Sequence, residues 1–75
     1  MYRIRVRLDT QSDIIKFVQC AESIEDYQVF LEDTQGHCVD AKSLIGVMYG
    51  KVEFNEMYVR SDSDRMGNIF REFMI

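Results

Sequence analysis

The sequence predicts an α+β fold: an open-faced β-sandwich in the order β-α-β-β-α-β-α, with a four-stranded antiparallel sheet and three helices on one face. Three observations predict it. Tyr2, Ile4, Val6 and Leu8 alternate with Arg3, Arg5 and Arg7, the period-2 signature of a strand with one buried and one wet face. Ile14, Phe17, Val18 and Ala21, and again Met66, Ile69, Phe70 and Phe73, recur at helical spacing. Between them, Asp33-Thr34-Gln35-Gly36 supplies turn residues that divide two short strand-like runs into a hairpin. Helices gathered on one face of an antiparallel sheet leave the other face to water.

Taken in order, the first strand holds Tyr2 to Leu8. Ser12 and Asp13 open the first helix, the hydroxyl capping free amides and the carboxylate favoured by the helix dipole, and the helix ends near Ser23. Tyr27, Val29 and Leu31 alternate with Gln28, Phe30 and Glu32 in the second strand, and Cys38-Val39 form the third. Asp40 is placed to cap a short helix over Lys42 to Tyr49, closed by Gly50. The last strand falls within Val52 to Arg60, but Val52 and Phe54 share one parity while Met57 and Val59 share the other. Either a bulge intervenes or the first pair belongs to a loop. Ser61-Asp62-Ser63-Asp64 reads as a helix start of capping-box type, with the third helix running nearly to the end of the sequence.

A chain of 75 residues makes one domain, 1–75, because so short a sequence buries only about 60% of its unfolded surface and cannot supply a second core. Its apolar content of 47% is sufficient for that core. A net charge of -4 argues against nonspecific attraction to nucleic acid or anionic membrane. There is no run of about eighteen apolar residues and no apolar stretch after a basic start, so neither a membrane span nor a signal peptide is expected and the cytoplasm is the default compartment. The two cysteines, Cys20 and Cys38, are too few for a disulfide scaffold and are expected to be free buried thiols. With no proline and four glycines, the chain shows no linker, repeat or low-complexity tract.

The stretch Val39-Asp40-Ala41-Lys42-Ser43-Leu44-Ile45-Gly46-Val47-Met48, a strand end followed by a helix with a serine in its first turn, resembles the regulatory-serine segment of the HPr family, the histidine-containing phosphocarriers of the phosphoenolpyruvate-dependent sugar phosphotransferase system. The element order extends the resemblance across essentially the whole chain. Phe17-Val18 fall where the family's first helix has an apolar pair. Counting back from them places Thr10 at the carrier-histidine position, with Ser12 and Asp13 at the family's arginine and proline. The chain thus resembles a degenerate member that lacks the carrier histidine.

What the resemblance implies is a regulatory or adaptor protein without phosphocarrier activity. Histidine carriage needs a labile nitrogen–phosphorus bond and a nearby cation, whereas a threonine or serine ester would trap the group. Ser43 matches the family's regulatory serine, and a phosphate there would meet free amides and the positive end of the helix dipole. The alternative is that Ser43 only helps cap the helix. Lys42, Leu44, Ile45, Val47 and Met48 match the patch through which the family docks its partners, some of them packing inward. By resemblance the partner is an HPr-type serine kinase, a carbon-catabolite transcription regulator or a phosphotransferase-system enzyme; family membership alone would make the chain a functional carrier component. No enzyme activity, cofactor or metal is implied, and the chain is expected as a monomer or a dimer exchanging strand one.

Other constellations are weaker. His37, Cys38 and Asp40 have suitable residue types for catalysis or metal binding, but neighbours on a strand point to opposite faces, and Cys38 with Asp40 leaves a metal two ligands short. A lone histidine in a turn is ordinarily a solvated side chain. Arg3, Arg5 and Arg7 form a basic ladder on the open face, with Phe30 and Tyr58 available to share it. Such a face can stack single-stranded RNA, or the arginines can pair across strands with Glu32, Glu53 or Glu56.

Overall fold

The computed structural model describes residues 1–75. Its elements are β1 (Tyr2–Val6), α1 (Gln11–Glu22), β2 (Val29–Glu32), β3 (Cys38–Asp40), α2 (Leu44–Glu53), β4 (Met57–Ser61), α3 (Met66–Ile69) and a 3-10 turn over Arg71–Phe73. The four strands form one antiparallel sheet in the order β1-β4-β2-β3. Register aligns Ile4, Val59, Leu31 and Val39 as one row across all four strands, facing the helices. The neighbouring row, Arg5, Tyr58, Glu32 and Cys38, points the other way and stays wet. The sequence pattern therefore resolves into a covered face and an open face, as period-2 alternation requires.

Seventeen buried apolar residues form a single cluster between sheet and helices. Phe17 of α1 lies at its centre, its ring 5.0 Å from that of Phe70 and 5.6 Å, edge to face, from that of Phe73. The outer edge of β1 is not bare. Arg7 donates its amide to the Phe73 carbonyl (2.8 Å), Ile75 donates to the Arg5 carbonyl (3.2 Å), and Val6 bridges to Met74.

Several boundaries differ from the sequence expectation, each for a local reason. Thr10, not Ser12, caps α1, because Thr10 and Asp13 satisfy one another in a capping box. Tyr27 lies outside β2, which begins at Val29. The cap of α2 is Ser43 rather than Asp40, and the helix runs through Gly50 to Glu53, so Val52 is helical and Phe54 forms the C-cap. No bulge explains the parity change before β4; Val52 belongs to α2 and Phe54 to its C-cap, while Met57 and Val59 belong to the strand. The hydroxyls of Ser61 and Ser63 do not start a helix: Ser61 closes β4 and donates to the Gln28 carbonyl (2.7 Å), while Ser63 Oγ accepts from the Arg65 amide (3.2 Å). α3 is accordingly a single turn with no side-chain cap, followed by the 3-10 turn. Cys38 is exposed and Cys20 half-buried, against the expectation of two buried thiols, since Cys38 pairs with Glu32 on an edge strand and faces outward.

Truncating Phe17 to alanine should open a cavity between α1 and the 70–73 segment and cost about 3–5 kcal/mol of unfolding free energy, read from urea denaturation.

Candidate functional site

The most unusual surface is α2. Its entry is built from short polar contacts: Asp40 Oδ1 accepts from the Lys42 amide (2.8 Å), the Ser43 amide donates to the Asp40 carbonyl (3.0 Å), and Ser43 Oγ accepts from the Gly46 amide (3.1 Å). Val47 and Gly50 face the sheet and are buried, as is Ala41 just before the helix. Gly50 allows the close approach, since a Cβ there would stand 3.1 Å from Leu31 Cδ2 and 3.0 Å from the Phe54 ring. The large apolar side chains are on the opposite side. Ile45, Met48, Tyr49 and Val52 follow at i, i+3, i+4 and i+7, with Ile45 and Val52 81% and 79% exposed, and Leu44 is exposed beside them. Lys51 and Glu53 are the only charged residues in the helix. An exposed helix face of this composition is the reverse of ordinary amphipathic patterning.

Of the residues expected to dock a partner, Leu44, Ile45 and Met48 are therefore available, whereas Val47 is fully buried in the core. Lys42 is held by its ammonium on the Tyr27 carbonyl at 2.9 Å. Val52 was not legible as a member because Gly50 reads as a helix stop, and continuing the 3.6-residue period past it would have found it; Tyr49 lay inside the expected helix, where its i+4 spacing from Ile45 was the signal.

Ser43 is the N-cap itself, so its hydroxyl sits at the positive end of the helix, where the amides of Leu44 and Ile45 have no carbonyl within the helix to receive them. Capping and phosphate acceptance are both compatible with this position.

The start of α1, where the resemblance alone sets Thr10 at a carrier-histidine position, is closed to an anion. Asp13 Oδ2 accepts from the amides of Asp9 (3.0 Å) and Thr10 (3.2 Å), and Thr10 Oγ1 accepts from the Asp13 amide (3.1 Å). The two backbone donors hold the Asp13 carboxyl below its ordinary pKa, which keeps it charged where a phosphoryl group would have to enter. The adjoining cleft presents Asp9, Asp13 and Glu72 against one arginine, Arg7, itself on Asp9 at 3.1 Å.

His37 is exposed, as expected of a solvated turn histidine, and it is in addition hydrogen-bonded. Asp33, nine-tenths buried, accepts from the amides of Gln35 and His37 through Oδ1 and meets His37 Nδ1 through Oδ2, each at 2.9 Å. Burial pushes the Asp33 carboxyl up, but the His37 ring and the two amides outweigh it and leave its pKa lowered. As an ionised acceptor it meets a proton on Nδ1 and fixes the orientation of the ring. Asp33, Gln35, His37, Tyr49, Glu53 and Phe54 line a cleft of about 260 Å³ at the C-terminal end of α2. There the His37 ring lies nearly parallel to Phe54 at 6.5 Å, and Tyr49 meets Phe54 edge-on at 6.4 Å.

Elsewhere the constellations dissolve. Cys38 faces outward and Asp40 is committed to Lys42, and no three His, Cys, Asp or Glu side chains gather in metal-binding geometry. Burial and Glu72 push the Cys20 thiol up, away from the reactive thiolate. On the open sheet face, Glu32 is shared by Arg60 (2.8 Å) and Arg3 (3.3 Å), Arg5 pairs with Glu56 (3.8 Å), and the guanidinium groups of Arg3 and Arg60 cover the rings of Tyr58 and Phe30. The rings that would stack bases are occupied by the chain's own arginines.

Ser43→Ala should cost about 1 kcal/mol in urea denaturation while Ser43→Asp restores the cap. Asp33, whose folded pKa is depressed, contributes stability that is present above the unfolded carboxyl pKa of about 3.9 and lost as pH falls through the lower folded value. Asp33→Asn should therefore be less stable than the parent at pH 7, with the difference shrinking below about pH 4 in unfolding titrations. No protein-family model, curated protein or solved structure matches the chain.

Proposed function

We propose that this chain is a regulatory or adaptor domain of the HPr type, read by a protein partner through the exposed face of α2 and without histidine phosphocarrier activity. The observation that carries the proposal is the apolar run Ile45, Met48, Tyr49 and Val52 displayed on a helix that starts at Ser43. Burying one such side chain is worth about 1.5–3 kcal/mol, so four of them are an ample docking energy left unused by the folded chain. The β-α-β-β-α-β-α order and the Val39–Met48 stretch support the HPr resemblance, and with it a cytoplasmic role in sugar-transport or carbon-catabolite regulation. The candidate partners are then an HPr-type serine kinase, a catabolite regulator or a phosphotransferase-system enzyme bound stoichiometrically. The capping box at Thr10 and Asp13 supports the loss of carrier chemistry, because carboxylate and amides already satisfy one another there.

In parallel incubations, ATP with an HPr-type serine kinase should place phosphate on Ser43, and phosphoenolpyruvate with the general phosphotransferase enzyme should place none, as mapped by mass spectrometry. The double substitution Ile45→Glu, Val52→Glu changes only exposed side chains and should slow Ser43 phosphorylation at least tenfold, about 1.4 kcal/mol, while leaving thermal unfolding nearly unchanged. Stoichiometric label on His37 from phosphoenolpyruvate would overturn the proposal.

A further inference from the structure

The docking face does not fade into ordinary surface at its C-terminal end. Tyr49 belongs both to the apolar run of α2 and to the wall of the cleft formed with Phe54, His37 and Glu53, so the two are continuous. The cleft carries two carboxylates, those of Glu53 and Asp33. Glu53 is exposed and makes no ion pair, Asp33 is ionised beneath the histidine, and the carbonyl end of α2 adds its negative partial charge. The cleft is lined by no lysine or arginine. Its walls are flat: the Tyr49 and Phe54 rings stand perpendicular, with the His37 ring beside Phe54.

From this juxtaposition we infer that the cleft receives an arginine side chain of the docked protein, whose guanidinium lies against the aromatic wall and donates to the Glu53 carboxylate. The chemistry selects this occupant over others. A carboxylate or phosphate would face two anions and a helix C-terminus. An apolar side chain would leave Glu53 without a donor. A lysine supplies charge but not the planar fork that matches flat rings and the two oxygens of a carboxylate. The partner segment is therefore apolar where it crosses Ile45, Met48 and Val52 and basic where it reaches Tyr49. This inference rests on α2 as the docking face, but the cleft can be tested without any partner.

The test titrates the ¹⁵N-labelled full chain with N-acetyl-arginine amide, and in separate arms with N-acetyl-lysine amide and N-acetyl-norleucine amide, following backbone amide shifts by NMR. Arginine amide should give saturable shifts confined to Gln35, His37, Tyr49, Glu53 and Phe54, with a millimolar Kd. The lysine probe should bind at least threefold more weakly, and the norleucine probe should not saturate. Glu53→Gln, an exposed substitution, should weaken the arginine probe at least fivefold, while Glu25→Gln, an exposed carboxylate outside the cleft, should not change it. Linear, unsaturable shifts, shifts spread over carboxylates generally, or equal affinity in Glu53→Gln would overturn the inference. Saturable arginine binding together with unaltered kinase recognition of the Ile45→Glu, Val52→Glu variant would keep the cleft and discard α2 as the docking face.

Discussion

The close approach of α2 to the sheet at Gly50 governs much of what the molecule presents to its surroundings. With Ala41, Val47 and Gly50 as the inward residues, the helix lies low over Leu31, and a side chain at position 50 would press on Leu31 and Phe54 closer than ordinary van der Waals contact. Small residues inward leave the bulky ones no place but outward, so the same packing that completes the core also creates the exposed run from Ile45 to Val52. Phe54, folding beneath the end of the helix, becomes both the last core residue and the floor on which His37 and Tyr49 rest. One constraint thus yields a covered sheet, an apolar helix face and a flat-walled cleft together.

A second organising feature is the use of carboxylates to finish local backbone structure. Asp13 closes the start of α1, Asp40 the entry to α2, and Asp33 the β2–β3 turn, where Gly36 alone adopts positive φ, 91°. Each consumes amides that would otherwise be open to an exogenous anion. The arginines of the open face are spent in the same way, on Glu32, Glu56 and their aromatic neighbours. The open sheet face is thereby satisfied internally, whereas α2 keeps a run of apolar side chains without partners.

Much of this was legible in the sequence where the pattern had a single period. The alternation of β1, the Ile14–Ala21 spacing of α1 and the hairpin around Gly36 carry one signal each, and the α+β class with its four antiparallel strands followed from them. Legibility failed where one residue served two rules. Gly50 reads as a helix stop but is a packing glycine, which displaced the end of α2, confused the parity before β4 and hid Val52. Ser61 and Ser63 carry cap chemistry but spend their hydroxyls on a turn. Ser43, Leu44, Ile45 and Met48 could be singled out from sequence because their local order is informative. The cleft could not, because Asp33 and Glu53 meet only through the turn of the hairpin and the end of a helix twenty residues apart.

The bridge between β1 and the Phe73–Ile75 segment ties residues near opposite ends of the sequence into one sheet edge, and β1's other partner, β4, begins only at Met57. During vectorial synthesis β1 therefore emerges with neither neighbour made, and its hydrogen-bonding edges stay open until β4 and the Phe73–Ile75 segment have left the ribosome. Such non-local closure sets a slow, late step in folding and a window in which Tyr2–Val6 can pair with the wrong strand, a kinetic liability written into the topology.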